Sequence, residues 1–475
     1  MEKDSTFLGT EKIGKLLFQL AVPAITAQLV NMMYNLVDRI FIGHIPVEGT
    51  WALTGVGVCM PIILLISAFA ALVSMGSAPR ASIFMGQGDN DTAEKILGNS
   101  FVMLLGVGVI LSIVMFIWGE NLLMIFGASE NTIGYSMSYL RIYVLGTVFV
   151  QLTIGLNAFI TAQGFAKIGM YSVLIGAVCN IILDPILIFV FDMGVAGAAL
   201  ATVISQAASA AWVIRFLCGK QTVLKLKREN FRLKHEVVLP CIALGLAPFI
   251  MQATESLISI SFNASLLKYG GDIAVGGMTI LTSIMQFSLL PLVGLTQGAQ
   301  PIISYNYGAK NSQRVKEAFL TLLKCCVAFS TVIWLLVMLI PETFAGIFTS
   351  DPELIAFTAD AMHIYFAVSF LFGIQLACQQ TFIAIGNAKT SLFLAVLRKV
   401  ILLIPLIYIL PMIFTDKIAA VYMAEPIADL IAVSVTATLF IIQFRKIKEL
   451  GRAETFNPLK NHVSVDYLSS SKKKF

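Results

Sequence analysis

The chain has 475 residues, of which 58% are hydrophobic and 12% are charged, and its formal net charge is +5. A soluble chain of this length carries roughly twice that share of charged residues. The apolar stretches are long enough for helices, whereas a membrane β-barrel shows short segments of alternating hydrophobicity. Composition therefore excludes a soluble globular protein and a barrel, and it predicts an all-α membrane protein.

Twelve apolar segments follow one another, and each is close to or above the ~20 residues that a spanning helix needs. They cover 16–43, 52–84, 95–118, 133–159, 166–190, 194–217, 238–266, 273–303, 317–340, 355–384, 389–414 and 417–443. Lysine and arginine collect in alternate loops. The positive-inside rule then places both termini and the middle loop in the cytoplasm. The charge excess is a topology signal, so we expect the lipid bilayer and no nucleic acid as a partner.

The first segment carries a polar stripe along an otherwise apolar helix. Its members are Gln28, Asn31, Asn35 and Asp38. Spacings of three, four and three residues place them on one helical face. A carboxyl group inside a membrane normally faces the bundle interior or a water-filled cavity, where loss of water favours its protonated form. Asp38 is therefore a candidate ion-binding group, and the alternative is a structural acid paired with Arg39 or another cation.

Segments four to six add further polar groups. Asn180 and Asp184 lie one turn apart on one face, and Tyr139 and Thr202 lie in the neighbouring segments. If these faces converge with that of Asp38, two carboxyl groups, an amide, a phenol and a hydroxyl surround one point. Two nearby carboxyl groups share a proton over some pH range, and the same oxygens could instead hold Na⁺. The spacing leaves both ions open.

The two halves of the chain repeat one pattern. SAPRASIFMGQGDNDTAEK at 77–95 matches AQPIISYNYGAKNSQRVKE at 299–317. The offset is 222 residues, from Gly86 to Gly308, and it holds without a gap up to Lys167, which matches Lys389. Each half is therefore predicted to be a six-helix unit. Since six is even, both units have the same orientation and are related by an axis along the membrane normal.

The repeat divides the chain into two lobes. We predict an N-lobe at 1–217 and a C-lobe at 238–445, joined by a basic, solvated cytoplasmic linker at 218–237. Residues 446–475 are rich in serine and lysine, which predicts a disordered cytoplasmic tail.

The second half has a different polar content. Asp38 aligns with Asn263, which cannot titrate. The ionisable groups in its apolar segments are Glu255, Arg398, Lys399, Glu425 and Asp429. Glu255 shares a helical face with Gln252 and Ser259, and a cavity-lining acid there suits a cationic substrate. A structural ion pair of Glu255 with Arg398 or Lys399 is the equally weighted alternative.

Enzyme signatures are missing from the sequence. It contains no nucleophile elbow, no HExxH motif and no P-loop, and its histidines and cysteines have no metal-ligand spacing. We therefore expect a protein that is not an enzyme and has no cofactor. The repeat of two six-helix units is typical of a transporter with its pathway between the halves. Since the sequence has no ATP site, the energy for transport must come from an ion gradient.

Several motifs together resemble the multidrug and toxic compound extrusion family, the MATE transporters. They are the matched pair at 77–95 and 299–317, VPAITAQLVNMMYNLVDRIFIGH at 22–44, CNIILDPILIF at 179–189 and GVAGAALAT at 194–202. The resemblance covers nearly all of 10–445. It implies two six-helix bundles around a V-shaped cleft, and antiport of organic cations against H⁺ or Na⁺.

The resemblance also implies roles for individual residues. The family's cation- or proton-binding residues fall on Asp38, Tyr139, Asn180, Asp184 and Thr202, and its seventh-helix acid falls on Glu255. Na⁺ would be held by the same set without the tyrosine. Members of the Na⁺-coupled vibrio type carry an acid in the tenth helix, where this chain has Ile374. This departure favours coupling through the N-lobe.

Two functions remain open at this point. The first is an antiporter that exports small organic cations as a monomer. Its candidate substrate-binding residues are Gln28, Asn31, Asn35, Gln252, Glu255 and Ser259. The second is a flippase for a lipid-linked or phosphorylated substrate, which needs a cationic cavity. Its candidate groups are Arg39, Arg80, Arg141, Arg398 and Lys399. The sign of the potential in the central cleft distinguishes them.

Overall fold

The computed structural model describes residues 6–46 and 48–455, and all regular structure within them is helical. The N-lobe helices are α1 (Ile13–Gly43), α2 (Gly49–Gly86), α3 (Asn90–Ile125), α4 (Ile133–Leu145 with Thr147–Ala162), α5 (Ala166–Val190) and α6 (Gly194–Leu217). The C-lobe helices are α7 (235–270), α8 (272–308), α9 (Ser312–Leu339), α10 (Pro352–Tyr365 with Ser369–Ala384), α11 (Ala388–Ile413) and α12 (Lys417–Thr455). Short helices occupy Phe7–Thr10, Arg228–Phe231 and Pro341–Gly346.

The number of spans follows from helix lengths and breaks. Nine helices of the described chain are long and apolar enough to cross a membrane, and two bent pairs, α4 and α10, raise this number to eleven. One of the nine, His235–Gly308, has 74 residues, which at 1.5 Å per residue is about 110 Å, several times a bilayer core. It breaks at Gly271, where φ is 63° and ψ is −159°. Two spans there give the twelve predicted from the sequence.

The two lobes meet in a reciprocal contact between positions that the repeat relates to each other. A methyl group added at Gly86 would overlap the carbonyl oxygen of Tyr305, and one added at Gly308 would overlap that of Ile83. Both pairs are related by the 222-residue offset. Only glycine permits so close an approach of two helices. The contact is therefore isologous, as in a two-fold symmetric dimer.

Further close approaches lie along the same helices. Gly298 of α8 packs on Ala21 of α1, and Gly245 of α7 packs on Leu72 of α2. These residues lie in the halves of the helices nearest the basic end, which we define as the end with loops 87–89, 163–165, 218–234, 309–311 and 385–387. The close approaches that join the lobes thus lie near the basic end, which agrees with the V-shaped cleft that the resemblance implied.

Most charged residues of the linker between the lobes are exposed, as expected of a solvated segment, but one part of the linker is docked on the N-lobe. Leu224 is fully buried, and the Gln163 Oε1 atom accepts hydrogen bonds from the backbone N–H groups of Val223 and Leu224 at 2.9 and 2.8 Å. Lys227 forms an ion pair with Glu94 of α3, and this contact raises the pKa of Lys227 above its usual range. The linker is therefore docked on the N-lobe, because neighbouring polar groups satisfy its backbone.

The structure also describes parts of the segments before α1 and after the last membrane span. The Arg314 Nη2 atom donates to the carbonyl oxygens of Leu8 and Glu11 at 3.2 and 2.7 Å, so the short N-terminal helix is held against the C-lobe. Helix α12 continues to Thr455, so the first residues of the predicted tail are helical. The remainder of that tail lies outside the described residues.

Candidate ion and substrate sites

Helices α1, α5 and α6 bring the predicted N-lobe residues together. The Asn180 Nδ2 atom donates to Asp184 Oδ1 at 3.2 Å and to Thr202 Oγ1 at 3.4 Å. The carboxyl groups of Asp38 and Asp184 lie close enough to interact electrostatically, and Asp184 is 0% exposed. The predicted convergence of the three faces is therefore what the structure shows. We call this set, with Tyr139, the N-lobe cluster.

Tyr139 closes the N-lobe cluster from α4. Its side chain lies beside Thr202 and close enough to Asp38 to interact with it electrostatically, and its ring stacks on that of Tyr143 with centroids 5.8 Å apart. The Thr202 hydroxyl donates to the Ala198 carbonyl oxygen at 3.0 Å. Thr202 Oγ1 therefore presents its lone pairs to the other members of the cluster.

The cluster has more hydrogen-bond acceptors than donors. Four buried oxygen atoms accept no hydrogen bond from the described protein groups: Asp38 Oδ1, Asp184 Oδ2, Asn180 Oδ1 and Gln206 Oε1. In the described part of the chain, no lysine, arginine or histidine nitrogen lies within 4.0 Å of either carboxyl group. The structural pairing of Asp38 with Arg39 is thus not formed. Such oxygens can be satisfied by a proton shared between the carboxyl groups or by a small hard cation.

Sequence reasoning missed two members of this site. Tyr34 lies close enough to both carboxyl groups to interact with them electrostatically, and Gln206 lies beside it. The signal was present, since Tyr34 precedes Asp38 by one turn of α1 and Gln206 follows Thr202 by one turn of α6. Both residues therefore belong to helical faces that Asp38 and Thr202 already define.

The rest of the polar stripe on α1 does not enter the cluster. Gln28 donates to Gln297 of α8 across the lobe interface at 3.2 Å. Asn35 donates to the carbonyl oxygen of Asn31 at 2.6 Å, and both asparagines are exposed. One face of α1 thus contacts α8 at Gln28 and the N-lobe cluster at Asp38, because the neighbours of α1 change along its length.

The C-lobe contains a network of ion pairs. Arg398 Nε lies 2.6 Å from Asp429 Oδ1, and Arg398 Nη2 lies 3.0 Å from Glu425 Oε1. Lys399 Nζ lies 2.5 Å from Glu255 Oε2. The Arg398 guanidinium group also lies over the ring of Phe372, 5.3 Å from its centroid. We call the five charged residues the C-lobe network.

The C-lobe network forms part of the wall of a cavity of about 250 Å³. Polar residues of the wall include Glu255, Ser259, Asn263, Tyr365, Arg398 and Lys399. Gln252, predicted to join Glu255 and Ser259, is not among the described residues that line it. Glu255 thus forms an ion pair with Lys399 and also lines the cavity. The predicted structural ion pair and the predicted cavity-lining acid are therefore both present.

Comparison with known proteins gives consistent similarities. The MatE family model matches residues 23–186 and 248–409, one match in each half. The multidrug export protein MepA of Staphylococcus aureus (strain N315) is 26% identical over 441 residues, which cover 92% of this chain and 97% of that protein.

Two solved structures show the same fold. The MATE multidrug transporter DinF-BH, solved in complex with rhodamine 6G, is 36% identical, with a TM-score of 0.85, and the match covers 93% of this chain and 98% of that one. A MOP superfamily transporter from Pyrococcus furiosus, described as having a binding pocket of reverse polarity, is 23% identical, with a TM-score of 0.86. That match covers 94% of this chain and 99% of the other.

Proposed function

The chain belongs to the MatE family of membrane transporters, which are not enzymes, and on this premise we propose that it is an antiporter that exports organic cations in exchange for H⁺ or Na⁺. The similarity to MepA and to DinF-BH supports multidrug export. We also propose that it acts as a monomer in a bacterial cell membrane, with the basic end and both termini in the cytoplasm.

The observation that carries the proposal is the pair of carboxyl groups in the N-lobe cluster. Asp38 and Asp184 come from different helices, are buried and have no basic partner in the described chain. Two carboxylates this close repel each other unless a proton or cation lies between them. Occupancy by the coupling ion therefore draws α1 toward α5 and α6, and loss of the ion separates them.

Helix α1 can transmit this movement to the lobe interface. The end of α1 that is distant from Asp38 packs on α8, where Ala21 contacts Gly298. Pro23 lies between these points, and a proline inside a helix lacks an N–H donor and allows bending there. Ion binding at one end of α1 thus biases the packing of the lobes at the other, and the substrate leaves toward the outside. The cluster then exchanges its ion in the next part of the cycle.

The charge of the two sites favours cationic substrates over lipid phosphates. The N-lobe cluster and the C-lobe network together have five carboxyl groups and two basic groups. Both basic groups, Arg398 and Lys399, are bound to carboxylates. A phosphate recognised by arginine needs those N–H donors to be available. We therefore favour the antiporter over the flippase.

The test is efflux of rhodamine 6G from proteoliposomes, with H⁺ and Na⁺ gradients imposed separately. Wild-type efflux should follow one of the two gradients, whereas Asp38→Asn should bind the dye without responding to either. Asp192→Asn is the matched control, because Asp192 is exposed in the turn before α6 and asparagine tolerates its φ of 52°. Gradient-driven efflux by Asp38→Asn at the wild-type rate would refute the proposal.

A further inference from the structure

The two basic groups of the C-lobe network are held very differently. Arg398 contacts two carboxylates and a phenyl ring. In the described chain, Lys399 makes a single hydrogen bond through its ammonium group, to Glu255. The Lys399 side chain is 9% exposed and that of Glu255 is 53% exposed. An ion pair with one partner open to water contributes little to stability, so it can be exchanged for another pair.

Glu255 is the accessible acid of the network. Glu255 and Glu425 both line the cavity, but Glu425 is 6% exposed and bound to Arg398, and Asp429 is likewise buried and bound to Arg398. A positively charged group that enters the cavity can therefore contact the Glu255 carboxylate. Lys399 already forms an ion pair with that carboxylate. Like charges cannot share this carboxylate closely without repulsion.

The charge of the whole network leaves room for one more cation. With all groups ionised, it has three carboxylates and two bases, so it lacks one positive charge. Lys399 also lies close enough to Glu425 to interact with it electrostatically. If Lys399 turns from Glu255 to Glu425, a monocation at Glu255 makes the network neutral. A dication or an anion would leave it charged.

The backbone at this point is also unusual. Leu397–Leu403 is a π-helical turn within α11, and it directs Arg398 toward α12 and Lys399 toward α7. Single π-helical turns are frequent at functional sites. The apolar part of the cavity wall includes Phe262, Met278, Met285 and Phe372. Methionine and aromatic side chains adapt to apolar ligands of different shape.

We propose that Lys399 is a tethered counter-ion which occupies Glu255 and gives way to the single positive charge of a lipophilic monocation. Lys399 is then a specificity-determining residue of the C-lobe cavity. It weakens binding of every cation by competing for the carboxylate, and it excludes compounds that cannot replace its charge. This inference rests on the proposed export of organic cations.

The test measures rhodamine 6G binding to the purified protein by fluorescence polarisation, without any gradient. Lys399→Met removes the competing charge and keeps the length of the side chain, so the Kd should fall by about tenfold, the equivalent of 1.4 kcal/mol. Lys399→Arg keeps the charge and should leave the Kd near the wild-type value. Glu255→Gln should raise the Kd, and adding Lys399→Met to it should bring no gain.

The Kd of Lys399→Met decides between a competing charge and a structural lysine. An unchanged or higher Kd in folded Lys399→Met, checked by its thermal unfolding, would overturn the proposal and leave the lysine a structural residue. If Lys399→Met does not fold, Lys399→Gln keeps a polar group at the position and carries the same expectation. Because no gradient is present, the binding result is independent of whether efflux is coupled to H⁺ or Na⁺.

Discussion

The N-lobe cluster and the C-lobe network occupy matching helices but differ in whether their acids are paired with bases. Thr202 and Gln206 lie 8 and 12 residues after the start of α6, and Glu425 and Asp429 lie 8 and 12 residues after the start of α12. The repeat thus places neutral groups in one lobe and acids in the other. The acids of the N-lobe cluster have no basic partner in the described chain, whereas those of the C-lobe network are all ion-paired.

This difference separates two tasks. A carboxylate without a basic partner changes its charge state when an ion arrives, so it can couple a gradient to movement. A carboxylate bound to arginine keeps its charge, because loss of either partner leaves the other buried and uncompensated. Under the proposed function, the N-lobe acids would hold the coupling ion, and the ion-paired acids of the C-lobe would face the substrate.

Removing a partner should have the largest effect in the C-lobe. Arg398→Met leaves Glu425 and Asp429 buried without their cation, and breaking such a pair costs about 3–5 kcal/mol. Thermal unfolding in detergent measures this loss. The triple variant that adds Glu425→Gln and Asp429→Asn should recover most of it.

The matched change in the N-lobe sharpens the contrast. Asp184→Asn removes one of two carboxyl groups that repel each other, so it should cost less than about 1 kcal/mol or stabilise the fold. A loss from Asp184→Asn as large as that from Arg398→Met would break the comparison, because it would show that the N-lobe acid is held by a cation.

The lobe contact should respond symmetrically, unlike the two sites. Gly86→Ala and Gly308→Ala each force a methyl group against a carbonyl oxygen of the other lobe, at a cost of about 1–3 kcal/mol. We expect both variants to open the basic end to the same extent, measured as thiol labelling of a cysteine introduced at Ile83. Gly57→Ala and Gly106→Ala are controls, since nothing lies within 4 Å of an added methyl group there. Unequal effects would show that the contact is not reciprocal.

The smallest effect is expected at the docked linker. The Glu94 contact raises the pKa of Lys227, so the pair contributes stability at pH values below the usual lysine pKa of 10.5. That contribution is lost as the pH rises through the folded-state pKa. Lys227→Met should therefore be slightly less stable than wild type at neutral pH and equal to it in strong alkali, by thermal unfolding. A constant difference at all pH values would contradict this origin.

The sequence was informative where a feature depends on helical periodicity or on the repeat. The spacing of Asn180 and Asp184 placed them on one face, and the 222-residue offset divided the chain into two related six-helix units. Periodicity does not tell which neighbour a face meets. Asn31 and Asn35 share the face of Asp38 but remain exposed, and Gln252 shares that of Glu255 but lies outside the cavity.

The docking of the linker could not be predicted for a different reason. Its sequence is basic and polar, which is typical of a solvated segment. Its order comes from partners distant in the chain, Glu94 and Gln163, whose buried oxygens receive its backbone N–H groups. Such long-range hydrogen bonds have no local sequence signal.

The central claim is that the carboxyl groups without a basic partner hold the coupling ion. The most direct measurement is the release of H⁺ or Na⁺ when rhodamine 6G binds the purified protein, since two ligands that compete through one equilibrium displace each other reciprocally. We expect about one ion per bound dye for wild type and for Glu255→Gln, and none for Asp38→Asn. Release by Asp38→Asn equal to that of wild type, or its loss in Glu255→Gln alone, would contradict the claim.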